Sequence, residues 1–328
     1  MGPTGKAPQD AGVMRLSFDS YEGVAISNGI LPRYGDIDAY EMSAGAFDEA
    51  IRQIISVGGK LPNTASNDGI FWSVNDNFCV PDSVYDEVSN PDGKQKLAKL
   101  IKICEALFDS ATYFDIPLTS GKDSMKNDFK ADGQKISVPP TILYSMTAKI
   151  DDVRNTVTAE FKSAGDLIYQ LGETYDELGA SEFYSLHGQL GANVPKVRKE
   201  SAKELYLKVM KANDLKLIES SHDLSDGGLA VSIAESAFGS GLGADIQIDG
   251  IGTNLSAEVL LFSESHSRFL VTVKAENKEA FENIFTDRAF FLGSVSANNQ
   301  LTIYRKDNLL VELKTDALQK AWSSGLSF

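Results

Sequence analysis

At 328 residues the chain is long enough for about two domains of ordinary size, and a hydrophobic fraction of 42% supplies real cores, which excludes a disordered protein. Against 46 acidic side chains stand 31 basic ones, a formal charge of −15, which repels phosphate polymers and anionic lipid and excludes nucleic acid as an expected partner. The longest uncharged run, 289–304, is broken by Ser, Asn and Gln and falls short of the ~18 apolar residues of a membrane helix, so no membrane partner is expected.

In chain order, the opening Met1–Lys6 carries no signal pattern and Lys6 stands where a myristoylation motif wants Ser or Thr, so a cytoplasmic location is expected. Short β-rich runs at 13–18 and 23–27 suit two strands. Met42, Phe47, Ile51, Ile54 and Ile55 recur at helical spacing over 40–57, Gly58-Gly59 supply a left-handed stop, and Asp48, Glu49 and Arg52 fall on the other face. A second helix over 94–113 carries Leu97, Leu100, Ile101, Cys104, Leu107, Phe108 and Ala111 as an expected core stripe. A polar stretch at 119–128 leads to strands at 135–138 and 141–150, where Pro139-Pro140 point to an edge or a bulge. The charged segment 151–165 reads as a boundary. Beyond it, strands at 167–171, 216–220, 244–248, 268–273, 290–295 and 301–304 alternate with helices at 197–212, 227–238, 278–285 and 315–323. This pattern indicates an α/β or α+β layer structure. Two cysteines, Cys79 and Cys104, and three histidines are too few for a disulfide framework or a zinc site.

Four polar segments interrupt the apolar runs. Ser120-Gly121-Lys122-Asp123-Ser124 has the glycine, hydroxyls and charge of a phosphate cradle, or is an ordinary polar turn; it is not a Walker A loop. In 221–228, Asp223, Ser225 and Asp226 precede a helix, as ligands for a hard cation holding nucleotide phosphates or as helix caps. Asn75-Asp76-Asn77 reads as an Asp-bearing turn, and the loop 172–181 has the place of a phosphate-binding loop but three acidic residues. Glu49 could reach a metal or be solvated, and His266 could act as acid or base or serve as a structural hydrogen-bonder.

Taken together, DAGV from Asp10, SNGILPRYGDIDAY from Ser27, AFDEAIRQIISVGG from Ala46, NDNFCVPD from Asn75, PLTSGKDSMKND from Pro117, SSHDLSDGGLAVSIAESAF from Ser220 and LFSESHSRFLVTV from Leu261 resemble phosphoribosylformylglycinamidine synthase over nearly the whole chain. The resemblance implies an AIR synthetase-like two-domain α/β (α+β) unit. Residues 1–155 would be a strand-rich domain that forms a β-barrel across a dimer or pseudo-dimer, and 165–328 a flanking α/β domain. It implies ATP and Mg²⁺ as cofactors, with Glu49 and Asp223 as metal ligands, Asp76, Gly121 and Ser225 near the nucleotide, and Ser120, Lys122 and Ser124 at the substrate phosphate. The chain resembles the C-terminal unit of the synthase region, so a first unit carrying the catalytic histidine and a glutaminase domain or subunit would be its partners, beside small-molecule substrates. In isolation a homodimer is expected. Asn28, where some relatives have a metal-binding Asp, Gln53, where Asn is usual, and a glycine-poor loop at 172–181 depart from the family pattern. Two alternatives stand beside this reading: an assembly module with a structural nucleotide, and another ATP-dependent enzyme of the same superfamily.

Overall fold

The computed structural model describes residues 5–63, 71–132, 134–252 and 254–325, so the opening Met1–Thr4 lies outside the described residues. The first half runs β1 (Gly12–Arg15), β2 (Gly23–Gly29), α1 (Ala39–Ser56), β3 (Trp72–Cys79), α2 (Gly93–Phe114), β4 (Leu118–Ser124), β5 (Asp128–Ala131), β6 (Gln134–Ser137) and β7 (Thr141–Ile150). α1 starts where the Asp38 carboxylate accepts the amides of Tyr40 and Glu41 at 2.9 and 3.2 Å, a side-chain cap of the usual kind. It stops ahead of Gly58, whose φ is +102°. α2 follows the spacing read from the sequence, but of its apolar residues only Ile103, Ala106, Leu107, Ala111 and Phe114 are buried. Leu97, Ile101, Cys104 and Phe108 are exposed, Phe108 by 69%, so the expected core stripe is half surface.

Five of these strands form one sheet in the order β1-β2-β7-β3-β4. β7 alternates cleanly, with Ile142, Tyr144, Met146, Ala148 and Ile150 buried under the helices. It is central, which corrects the edge read from Pro139-Pro140: the prolines precede the strand, and β6 pairs with β5 in a separate ribbon. The close fit of α1 on β2 depends on Gly29, where a Cβ would stand 1.9 Å from the Ala46 carbonyl oxygen.

The second half adds β8 (Leu167–Leu171), α3 (Glu182–Leu186), α4 (Lys199–Asp214), β9 (Ser220–Asp223), α5 (Gly228–Ser240), β10 (Gly243–Gln247), α6 (Ala257–Phe262), β11 (Phe269–Val273), α7 (Lys278–Phe285), β12 (Ala289–Ser296), β13 (Gln300–Arg305), β14 (Asn308–Lys314) and α8 (Thr315–Ser324). A seven-stranded mixed sheet has the order β14-β13-β10-β12-β8-β11-β9. The strand expected at 216–220 begins later, at Ser220, because Lys216 turns the chain with φ +54° after α4. One apolar core joins the halves: Phe47, Ile51 and Ile55 of α1 share it with Tyr169, Tyr206, Val209 and Phe269. α1 is therefore covered on both sides, and Asp48 and Arg52, read as a solvent face, are each only 1% exposed. Among the described residues no helix is long and apolar enough to cross a membrane.

Candidate functional site

Where β9 ends, α1 crosses over it and places Arg52 against the turn that leads into α5. The guanidinium donates in three directions: Nε to Asp223 Oδ2 at 3.0 Å, Nη1 to Asp48 Oδ2 at 2.9 Å and Nη2 to Ser225 Oγ at 2.6 Å. Asp48 also accepts from the Tyr206 hydroxyl and from the Ser267 amide and hydroxyl at 3.1 and 2.9 Å. The Ser225 hydroxyl, which accepts from Arg52, has its own proton to donate, with Asp223 Oδ2 at 2.9 Å and Glu49 Oε1 at 3.2 Å. The structure thus brings Glu49, Asp223 and Ser225 together. The other Glu49 oxygen accepts the Ile30 amide at 3.1 Å.

Carboxylates outnumber cations here. Burial pushes Glu49 up to about 8, with Arg52 opposing and Asp223 and Asp226 adding to the rise. Burial and then the Asp10 charge push Asp223 up to about 6, against Arg52, and burial raises Asp226 as well. Hard oxygen donors that are short of positive charge fit a divalent cation of the magnesium type. Beside them, buried His222 sits 2.6 Å from Asp10 Oδ1 through Nδ1 and 2.9 Å from Glu235 Oε2 through Nε2. Burial works against its charged form, yet the two carboxylates hold its pKa well above the usual value. Asp10, His222 and Asp223 bring their ligand atoms within 4.8 Å of one another, but with both ring nitrogens engaged the trio acts as an ion-paired strut. Asp10 also accepts the Asp223 amide at 2.9 Å. Its role is not legible in the DAGV segment that it opens, because its partners lie more than 200 positions away.

The other candidates occupy β3 and β4. The segment at 75–77, expected as an Asp-bearing turn, and that at 120–124, expected as a phosphate cradle or a polar turn, are both strands, paired in parallel with Asn75 opposite Ser120, Asp76 opposite Gly121 and Asn77 opposite Lys122. The backbone of 120–124 is extended, so it does not curl into the expected anion cradle. Strand alternation also divides the group: Ser120, Lys122 and Ser124 share one face with Asn75 and Asn77, while Gly121 and Asp76 lie on the other. A Cβ at Gly121 would stand 1.8 Å from Asp76 Oδ1, so the glycine admits the carboxylate across the strand. Burial, and then Asp123, raise the Asp76 pKa. Ser124 Oγ donates to Asn127 Oδ1 at 3.1 Å.

A polar row joins the two groups on the open face of the sheet: Asn28 lies opposite Ser145, Ser145 opposite Asn75, and Asn75 opposite Ser120. Three strand spacings make this row ~14 Å long. At its β2 end the Asn28 amide donates to Gln53 Oε1 at 3.3 Å, one helical turn from Glu49. Of the remaining candidates, His266, expected as an acid or base or as a structural hydrogen-bonder, is buried, and among the described residues neither ring nitrogen has a hydrogen-bond partner, which goes against the second of these.

Glu264, overlooked in the sequence, ties three segments together. It accepts the Gly227 and Glu182 amides at 2.9 and 2.8 Å and the Tyr34 hydroxyl at 2.7 Å. Burial outweighs these donors and pushes it up to about 7 from an ordinary 4.5. A carboxyl whose folded pKa is raised stabilises fully below its unfolded pKa, and that contribution is lost as pH rises through 7. The Glu264→Gln variant is therefore expected to show a flatter fall in melting temperature between these two pH values than the parent chain. An unchanged slope would contradict the assignment.

Residues 163–306 match the family described as AIR synthase related protein, C-terminal domain. Thermotoga maritima PurL, solved in complex with FGAR, superposes with a TM-score of 0.74 at 16% identity, covering 96% of this chain and 49% of that one. Phosphoribosylformylglycinamidine synthase II from the same organism gives 0.71 at 15% identity, with 96% and 48% covered. A chain of the HypE–HypF complex gives 0.67 at 14% identity, with 95% and 94% covered. The fold is thus the AIR synthase-like mixed α/β fold, and the chain spans about half the length of the Thermotoga synthase chains it matches.

Proposed function

We propose that this chain is an ATP-using unit, the C-terminal synthase unit of a phosphoribosylformylglycinamidine synthase. The observation that carries the reading is the convergence of Glu49 from α1 with Asp223 and Ser225 from the end of β9 around one buried arginine. Support also comes from Thermotoga maritima PurL having been solved with ADP, with ATP and with AMPPCP. The reaction is C–N ligation: ATP phosphorylates the formylglycinamide oxygen, and ammonia then displaces phosphate to leave the amidine.

In this reading Arg52 fixes Asp223 and Ser225, and Glu49 completes an oxygen set for Mg²⁺. The ion would neutralise charge on the transferring phosphate oxygens. Asp76, Gly121 and Ser225 serve the nucleotide, and Ser120, Lys122 and Ser124 hold the substrate phosphate across the interface with a partner unit. Residues 1–155 are the barrel-forming domain, whose edge strand β4 pairs with that partner, and 165–328 the flanking domain. Such pairing would remove an exposed strand edge. The first synthase unit, the glutaminase and a cytoplasmic location go with this reading. A second reading, a self-contained ATP-dependent enzyme of the same fold, is favoured by the match to 94% of the chain from the HypE–HypF complex. Calorimetric titration with ATP, with and without Mg²⁺, tests the nucleotide site that both readings need. Saturable, magnesium-dependent binding is expected, and its absence would overturn both.

A further inference from the structure

The outer side of α2 is apolar and bare. Leu97, Ile101 and Phe108 are 44, 49 and 69% exposed, and Cys104 is exposed between them. They follow one another at four, three and four residues, the a/d spacing of a coiled-coil seam and not the scatter of single apolar side chains that any surface carries. The core takes the other side of the helix, through Ile103, Leu107 and Phe114. The seam is therefore a second apolar surface on a helix of 22 residues.

The seam continues into β4, the edge of its sheet, where six of seven residues are exposed. Asp123 pairs with buried Phe78 and so belongs to the helix-covered face, yet it is exposed: the helix layer stops short of β4. Cys104 stands near that gap, since burial and then Asp123 and Asp76 raise its thiol pKa. Charge indicates what fills it. The first half of α2 carries Lys94, Lys96, Lys99 and Lys102 and the second Glu105 and Asp109, with no acid in the first turn and no base in the last. This is the reverse of what the helix dipole favours, but it is self-complementary. An antiparallel copy lays the basic half on the acidic half, whereas a parallel copy sets like charges together. Lys102 and Glu105 are free to exchange partners, because their mutual bridge at 2.6 Å is 57 and 48% exposed and such a pair is worth little.

We propose that the α2 seam, with the bare edge of β4 beside it, is the pairing surface for a second copy of this chain. The two α2 helices pack antiparallel about a two-fold axis between Ile101 and Cys104, which sets Leu97 against the partner's Phe108 and Ile101 against the partner's Cys104. Such a contact is the same patch on both copies and closes at two. Four side chains on each copy bury less than the roughly 1,200 Å² of a stable interface, so the edge of β4 belongs to the contact. The proposal deepens the reading in which a partner covers β4, and rests on it.

Sedimentation equilibrium of the full chain at micromolar concentration is expected to show a dimer. Ile101→Asp and Phe108→Asp, at exposed positions where the fold tolerates a charge, should each weaken dimerisation at least about tenfold, because the carboxylate would be buried unpaired. Leu186→Asp, at an apolar residue 85% exposed on another part of the surface, leaves the dimer unchanged. Lys102→Glu and Glu105→Lys should each weaken the dimer a few-fold, and the double reversal should regain the loss. A monomeric parent chain, an unaltered dimer in both seam variants, or an equal loss in Leu186→Asp would each overturn the proposal. No loss in the single reversals, or no recovery in the double, would overturn the antiparallel arrangement. Titration of the same parent chain with Mg·ATP separates the two readings: a seam-dependent dimer that binds no nucleotide sinks the nucleotide site alone, and a monomer that binds it sinks the pairing alone.

Discussion

The Arg52→Met variant is expected to lose about 3–5 kcal/mol of stability, read as a large drop in the urea unfolding midpoint at neutral pH. Methionine fills similar space, so the loss is not a cavity effect. What disappears is the cation shared by Asp48 and Asp223 at 2.9 and 3.0 Å, both of them buried. Asp48 keeps its donors from Tyr206 and Ser267, but no hydrogen bond replaces a charge in a dry interior. Acid should rescue the variant in part, because protonating the stranded carboxylates removes the uncompensated charge. The Arg52→Lys variant should fall between, since one ammonium cannot reach Asp48, Asp223 and Ser225 with the geometry of the guanidinium fork. A loss below about 1 kcal/mol for Arg52→Met would mean that the cluster is not the tight network described, since a surface ion pair is worth no more than that.

The second large effect concerns magnesium. Glu49→Gln and Asp223→Asn are each expected to weaken Mg·ATP binding at least about tenfold, because an amide offers a hard cation no charge. Glu49→Gln is the cleaner of the two. The Glu49 carboxylate makes no ion pair with Arg52, so its loss leaves the Arg52 fork intact, whereas Asp223→Asn removes one of its counter-charges. Nucleotide binding in EDTA should be the same in parent and variants. If calorimetry finds equal Mg·ATP affinity in all three proteins, Glu49 and Asp223 are not metal ligands.

The strength of α1 was legible because Met42, Phe47, Ile51, Ile54 and Ile55 lie on one stripe and all are fully buried. The same periodicity assigned Asp48 and Arg52 to solvent, since it cannot register a second layer packed on the polar side. β3 looks like a turn in sequence, and β4 like a phosphate cradle or a turn, for a related reason. An edge strand such as LTSGKDS, almost wholly exposed, lacks the apolar alternation by which strands are recognised. β14, exposed along nearly all of its length, escaped notice in the same way. Of the candidate site, the HDLSDGG segment was visible as a cluster of oxygens before a helix. Its link to Glu49 rested on resemblance, and the structure supplies the contact through Ser225 Oγ. Asp10 and Glu264 act through contacts distant in sequence, which no local window can contain.

The proposed synthase role is tested by ADP release from the purified chain supplied with Mg·ATP, formylglycinamide ribonucleotide and ammonium chloride, omitting each in turn, alone and with the first synthase unit added. ADP release that needs both the ribonucleotide and ammonia is expected, either from a homodimer of this chain or only once the first unit completes the site. ATP turnover indifferent to the ribonucleotide, or no turnover even with the first unit present, would contradict it.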